Sequence, residues 1–385
     1  MQADTLLVLG ALFLLGLVVE GLGRYTRLPR VTMLILLGMA VGPVGVGLIP
    51  REWQQHFSWL SSLALTMVGF LLGGKLAGLV RQGGGGRALR HSLVITLVTF
   101  AIVALLLGLL GVPPLLAVLL AGVSLATDPA ATLEVAQPHA ERSYFARLLL
   151  GIVALDDAWG LLLFAVLLAS LDLWMGVSNG ATPLLHAARE VLGAVALGVA
   201  LGVPLSWAAG RVRRGEATTV EALAIVFLCC GLSLWLGVSF ILAAMVTGFV
   251  VALTARRPRQ PFHEIAHLEW PVLLVFFIMV GASLDPAALL ALGWTGAVYV
   301  VARILGRLAG GLACLGDPQL PAAHRPWLGL SLLPQAGVAI GVALMAAQRY
   351  PEVGSSLLAV ITAAVVLFEL LGPVLTRRAL ATVAA

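Results

Sequence analysis

Hydrophobic residues run along this chain in blocks of about twenty, parted by short polar or glycine-rich breaks. A helix of that length crosses roughly 30 Å of hydrocarbon. Read with a window of about nineteen residues, the chain offers about thirteen spans. The first covers residues 5–23 and the second 31–49, with Arg24, Arg27 and Arg30 between them. The third (59–80) is followed by Arg81, Arg87 and Arg90, the fourth covers 93–111, and the fifth starts near Leu115 and is interrupted at Thr127-Asp128-Pro129. The sixth (145–170) carries the adjacent carboxylates Asp156 and Asp157, and the seventh (191–209) ends at Arg211, Arg213 and Arg214. Only Gly237 divides the eighth from the ninth; a basic cluster at 256–259 and a polar stretch through His267 precede the tenth, 271–284. The eleventh (289–312) holds Arg303 and Arg307. The twelfth (327–347) is interrupted at Leu333-Pro334-Gln335-Ala336-Gly337, and the thirteenth (355–375) stops before Arg377 and Arg378.

Lys and Arg crowd the odd-numbered loops and the C-terminus, while the even loops hold little beyond Arg51, Arg189 and Arg349. The positive-inside rule then sets the N-terminus outside and the C-terminus in the cytoplasm. Composition agrees with a chain immersed in lipid: 61% of residues are hydrophobic, 11% are charged and the mean hydropathy is +1.05, where a soluble domain carries roughly 25% charged residues. The expected class is an all-α polytopic membrane protein. The net charge of +5 belongs to the loops that fix this topology, so no nucleic-acid partner is expected. Cys229, Cys230 and Cys314 have no metal-ligand spacing and read as inert core thiols, and no cofactor is expected. Met1-Gln2-Ala3-Asp4 lacks a basic region, so the first block reads as a retained helix.

An odd number of spans permits two six-helix halves of opposite orientation. Residues 1–170 would form the first inverted repeat and 217–378 the second, joined by a connecting helix at 186–215, with no cytosolic domain. The fifth span then corresponds to the twelfth. Both are broken at mid-span, one at Pro129 and the other at Pro334, Gln335 and Gly337, and matched broken helices in inverted halves mark a transporter's ion site. Proline there removes a backbone donor and leaves carbonyls to face a cavity.

Within the spans lie Asp128, Asp156, Asp157, Arg303 and Arg307, with Glu369 nearer a boundary. An ionised Asp at the bilayer centre costs about 2.5–3.5 kcal/mol or more, so such residues are kept for use. A buried carboxylate pair holds protons or a hard monovalent cation, and Thr127, Thr132, Asp128 and freed carbonyls can complete an oxygen shell. Competition between proton and cation for one site opened to each side in turn is antiport. Arg303 and Arg307 share a helix face. Asp156 is the natural counter-charge for Arg307, and Asp128 or Glu369 for Arg303; the plainer reading of either arginine is a lock between helices.

At these residues the chain resembles the sodium/proton antiporters of the monovalent cation:proton antiporter superfamily. Leu155-Asp156-Asp157 matches the two-aspartate motif of the electrogenic bacterial members. Leu28-Pro29-Arg30-Val31-Thr32 followed by Gly42-Pro43, Phe276-Phe277 followed by Gly281, and Pro334-Gln335-Ala336-Gly337-Val338-Ala339 match as well. The resemblance implies that Asp157 binds the ion and proton, that Asp156 lies beside a base of a later helix, that crossed broken helices sit in a core domain, and that this domain moves against a dimerisation domain, giving a homodimer. Two positions depart from that type: Thr127-Asp128-Pro129 looks like the electroneutral branch, and arginine, aligned as Arg307, stands where lysine is usual.

The expected activity is exchange of Na+ or Li+ for H+, in a bacterial cytoplasmic (inner) membrane. A K+/H+ antiporter or efflux protein of the same superfamily is the alternative. An intramembrane aspartyl protease would need its two aspartates on separate helices, and adjacent ones on a single helix point about 100° apart.

Overall fold

In the chain's computed structural model the described residues are 2–23, 30–49, 58–174, 181–208, 218–255, 259–283, 293–335 and 337–384, and among them there is no strand. The basic stretches 24–29, 209–217 and 256–258, used above to orient the chain, lie outside the described residues. Helices α1 (Gln2–Gly23), α2 (Arg30–Val41), α3 (Ser58–Arg81) and α4 (Gly85–Leu109) come first. The fifth candidate span resolves into α5 (Pro114–Val123) and α6 (Pro129–Ala136), and the sixth is α7 (Tyr144–Trp174). Then follow α8 (Ala181–Ala208), α9 (Thr218–Leu236), α10 (Phe240–Thr254), α11 (Arg259–Ser283) and α12 (Gly293–Leu312). The twelfth span resolves into α13 (Arg325–Leu330) and α14 (Gly337–Arg349), and α15 (Pro351–Ala384) closes the chain.

Local chemistry sets most of these boundaries. Proline opens α5, α6 and α15, where its fixed φ suits the first turn and its missing N–H costs nothing. Ser239 caps α10 by accepting from the Leu242 N–H. Gly237, at φ 65°, makes the left-handed turn that separates α9 from α10.

Several helices differ in length from their apolar blocks. The second span ends as a helix at Val41, because Gly42 and Pro43 begin a run of turns to Ile49. The fourth begins at Gly85 instead of Leu93, which brings His91 and Ser92 inside the helix, both fully buried. The tenth begins at Arg259 instead of Pro271: a polar stretch ends a hydropathy block without ending a helix, and Pro271 is accommodated within α11. By length and composition, six helices among the described residues suffice to cross a membrane: Trp59–Arg81, Gly85–Leu109, Ala188–Trp207, Thr219–Leu236, Pro261–Ala282 and Pro351–Val383.

Packing follows two closely similar crossings. α3 lies against α10, and α2 against α11. Each uses a glycine from both partners. A methyl group on Gly73 would overlap the Met245 carbonyl oxygen, and one on Gly248 that of Phe70. At the other crossing Gly38 meets the Ile278 carbonyl in the same way, and Gly281 that of Ile35. Lipid tails are as apolar as leucine, so close backbone approach through small residues is what holds such helices together. α12 packs along α4, and α15 touches both halves of the first broken helix.

Outside the spans, the loop after α12 is fastened by one carboxylate. Asp317 accepts from Tyr144 Oη at 2.7 Å, Arg87 Nη1 at 3.1 Å and the Gln319 N–H at 3.0 Å, and meets His91 Nε2 at 3.3 Å. Burial pushes this carboxyl up, but those hydrogen bonds outweigh it and hold Asp317 below the ordinary carboxylate range.

Gly248→Val is expected to force α3 and α10 apart and to cost about 1–3 kcal/mol. Thermal unfolding in detergent reads it, beside Gly231→Ala in α9, where an added methyl meets nothing within 4 Å and stability should hold.

Candidate functional site

The two broken helices meet at their breaks. The Asp128 N–H, in the non-helical link between α5 and α6, donates to the Pro334 carbonyl oxygen at 2.8 Å, in the link between α13 and α14. Unwinding there leaves the last carbonyls of α5 and α13 without helical donors, and the partial negative charge of a helix C-terminus gathers on them. Two arginines of α12 answer both. Arg303 donates from Nε to the Ser124 carbonyl at 3.1 Å, from Nη2 to that of Ala126 at 3.0 Å and from Nη1 to that of Leu333 at 2.7 Å. Arg307 donates from Nη2 to the Leu125 carbonyl at 2.7 Å and to that of Ser124 at 3.3 Å. Both side chains are wholly buried.

Arg307 also meets the expected acid: its Nη1 lies 3.3 Å from Asp156 Oδ2. The other Asp156 oxygen accepts from Ser92 Oγ at 2.6 Å. Both oxygens of this carboxylate are therefore engaged, by α12 on one side and α4 on the other. Asp157 follows in α7, but its side chain lies outside the described residues.

For Arg303 the expected partner was wrong. Among the described residues no acid stands within ion-pair distance of it. The three carbonyls take its fork of donors, and the guanidinium lies over the Phe368 ring, 4.4 Å from its centroid. Asp128 is occupied elsewhere: Oδ1 accepts from the Ala130 N–H at 3.1 Å and Oδ2 from the Ala131 N–H at 3.0 Å. It is the N-cap of α6, next to Pro129 at the first helical position. Glu369, the other acid proposed for Arg303, is buried on α15, with no hydrogen-bond partner for Oε2 among the described residues.

The remaining candidates gather at the same crossing. Thr132 Oγ1 donates to the Asp128 carbonyl at 3.0 Å, which fixes its hydroxyl proton and leaves its lone pairs to face away from that carbonyl. Thr127 Oγ1 and Gln335 Oε1 are buried without a partner among the described residues, so both remain available as oxygen donors. Gln335 is held through Nε2, which donates to the Val123 carbonyl at 3.1 Å and to Tyr299 Oη at 3.4 Å. Pro334 and Gln335 lie in the non-helical link, Gly337 opens α14, and Ala336 lies outside the described residues. Ser92, Phe368 and Tyr299 complete the surroundings without having been singled out from the sequence. Only Ser92 had a signal, in the polar triplet Arg90-His91-Ser92 at the head of an apolar block.

A helical membrane protein with two helices broken at one crossing and ionisable side chains buried there is built as a secondary transporter. The chain belongs to the family described as sodium/hydrogen exchanger, transmembrane, whose model matches residues 8–381. Its members are transporters and not enzymes, which removes the protease alternative. The fold matches the sodium proton antiporter MjNhaP1 of Methanocaldococcus jannaschii. One structure of that protein gives a TM-score of 0.71 at 19% identity, covering 96% of this chain and 98% of the other. A second, an electron microscopy map, gives 0.75 at 18%, covering 98% and 94%. A relative in Alkalihalophilus pseudofirmus, the ammonium/H(+) antiporter subunit AmhT, is 25% identical over 317 residues, 78% of this chain and 77% of its own length.

Removing the cap of α6 tests whether Asp128 organises the crossing or selects the ion. Asp128→Ala is expected to lower stability by about 0.5–2 kcal/mol and to leave the cation preference of transport unchanged. A changed preference would place Asp128 in direct contact with the cation.

Proposed function

We propose that the protein exchanges Na+ or Li+ for H+ by alternating access, with cation and proton competing for the carboxylate of Asp157. The observation that carries this reading is the engagement of Asp156. Arg307 and Ser92 hold both its oxygens, so of the adjacent pair it is Asp157 that is left to take a varying load. Thr127 Oγ1 and Gln335 Oε1 supply further oxygens for a hard cation. K+ and ammonium are the alternative cargoes; the relative named above is called an ammonium/proton antiporter, and Na+, Li+, K+ and NH4+ belong in the same assay.

Three structural readings go with the proposal. The halves 1–170 and 217–378 are inverted repeats about the connector at 186–215, which is supported by the reciprocal glycines at both the α3–α10 and α2–α11 crossings. The protein works as a homodimer in a bacterial cytoplasmic membrane. Its N-terminus is outside and its C-terminus inside, on the alternation of basic loops.

Asp157→Asn, purified and placed in proteoliposomes with a pH-sensitive dye, is expected to reduce cation-dependent proton movement to that of empty vesicles while the protein still inserts. Robust exchange by this variant would send the ion to another carboxylate.

Arginine at position 307 also bears on charge. A lysine there could release its proton when the ion arrives and so add a second titrating group; a guanidinium keeps its proton in proteins. With Asp156 paired throughout, one proton exchanges against one cation, and transport is electroneutral. Na+ uptake with the potential clamped by a potassium ionophore and no pH gradient is expected to ignore the potential. Uptake that follows the imposed potential would overturn the one-for-one cycle.

A further inference from the structure

Near the start of α11 the chain reads His263-Glu264-Ile265-Ala266-His267. Residues four apart face the same side of a helix, and here the two rings meet: their Nε2 atoms are 3.2 Å apart and their centroids 4.4 Å, edge to face. Both side chains are exposed. Two nitrogens bound to a single ion at about 2.0–2.1 Å stand about 3 Å from one another. The spacing already present is thus the spacing of a chelate. His-x-x-x-His on one helical face is also the arrangement by which helices hold zinc in H-E-x-x-H proteins.

We propose that His263 and His267 form a two-imidazole site for a divalent transition-metal cation, Cu2+, Ni2+ or Zn2+. Imidazole nitrogen suits these ions, whereas Na+, Mg2+ and Ca2+ prefer oxygen, so the site is separate in chemistry from the cargo. As neutral rings at this distance, one Nε2 donates its proton to the other. An entering ion needs both lone pairs, and a shift of that proton to Nδ1 in one ring supplies them without changing the charge. No group of three His, Cys, Asp or Glu able to hold a metal occurs among the described residues, so water completes the coordination. Glu264 accepts the Thr219 hydroxyl of α9 and is not the general base of a hydrolytic centre.

His263 also lines a cavity of about 830 Å³ between α3, α10 and α11, shared with Lys75, Arg81, Glu141 and Arg147. Three of those neighbours are cationic and oppose a divalent ion. Binding therefore rests on the metal–nitrogen bonds, and affinity should rise along the order Ni2+ below Cu2+ above Zn2+.

The test is Cu2+ titration of the purified full chain, carrying no polyhistidine tag, followed by electron paramagnetic resonance. One Cu2+ per chain with coupling to two imidazole nitrogens is expected. His263→Ala and His267→Ala should each weaken it about tenfold or more, and the double variant should lose the signal. His324→Ala, a control at the end of another loop, should match the unsubstituted chain. Both histidines are exposed, so the variants should keep their helix content by circular dichroism and their elution volume. A chain that binds no Cu2+, or a double variant that binds it as the unsubstituted chain does, would overturn the proposal.

Discussion

The centre of this protein depends on two guanidinium groups placed at the carboxyl ends of two broken helices. A helix that stops in mid-membrane leaves carbonyls that water does not reach, and each such group costs several kcal/mol if unmet. Arg303 and Arg307 meet five carbonyl contacts between them, spread over Ser124, Leu125, Ala126 and Leu333. The arginines in turn are tolerable only because those acceptors exist. Neither feature is stable in lipid alone, so the breaks and the arginines form one device.

That dependence explains why the partner expected for Arg303 was mistaken while that for Arg307 was found. Sequence reasoning pairs charges with charges, since acids and bases are visible as letters. Carbonyls are not; they become available as acceptors only where a helix unwinds, and three of them replaced the acid at Arg303. Asp128 was pulled away by the same geometry, because the α6 amides freed by the break needed an acceptor at the position before Pro129. The breaks themselves were legible, as were Asp128, Asp156, Arg303 and Arg307 beside them, because proline and buried charge are strong signals in apolar blocks; Ser92, Tyr299 and Phe368 carry no charge and were not. Helix ends were less legible. Hydropathy marks where lipid begins, not where a helix does, and α4 and α11 both run on into polar residues, buried at His91 and Ser92 and exposed at His263 and His267.

The same extension of α4 carries a functional consequence. His91 and Ser92 are consecutive, and they face different partners: His91 meets the Asp317 carboxylate in the loop after α12, and Ser92 donates to Asp156 in α7. Asp317 also holds Arg87 and Tyr144, the latter at the first residue of α7. One short stretch of α4 therefore ties the loop, the aspartate helix and the arginine helix together. The Asp156–Arg307 pair is held inside a frame of hydrogen bonds, and its separation follows the rigid placement of three helices.

Charge at the crossing can then be reasoned through. Arg307 is offset by Asp156, and Arg303 is offset by the dipole ends of α5 and α13 instead of by an acid. The Asp128 carboxylate sits at the amino end of α6 and takes two of its N–H groups. On the proposed reading, the carboxylate at 157 is the one whose charge the cargo offsets. A proton or one monovalent cation offsets it equally well, and either makes the loaded site cheap to carry through a low-dielectric interior while the empty site is expensive. On that reading exchange without leak would follow from the difference: the unloaded carrier is the state the membrane penalises, which would tie each crossing of the site to one ion or one proton.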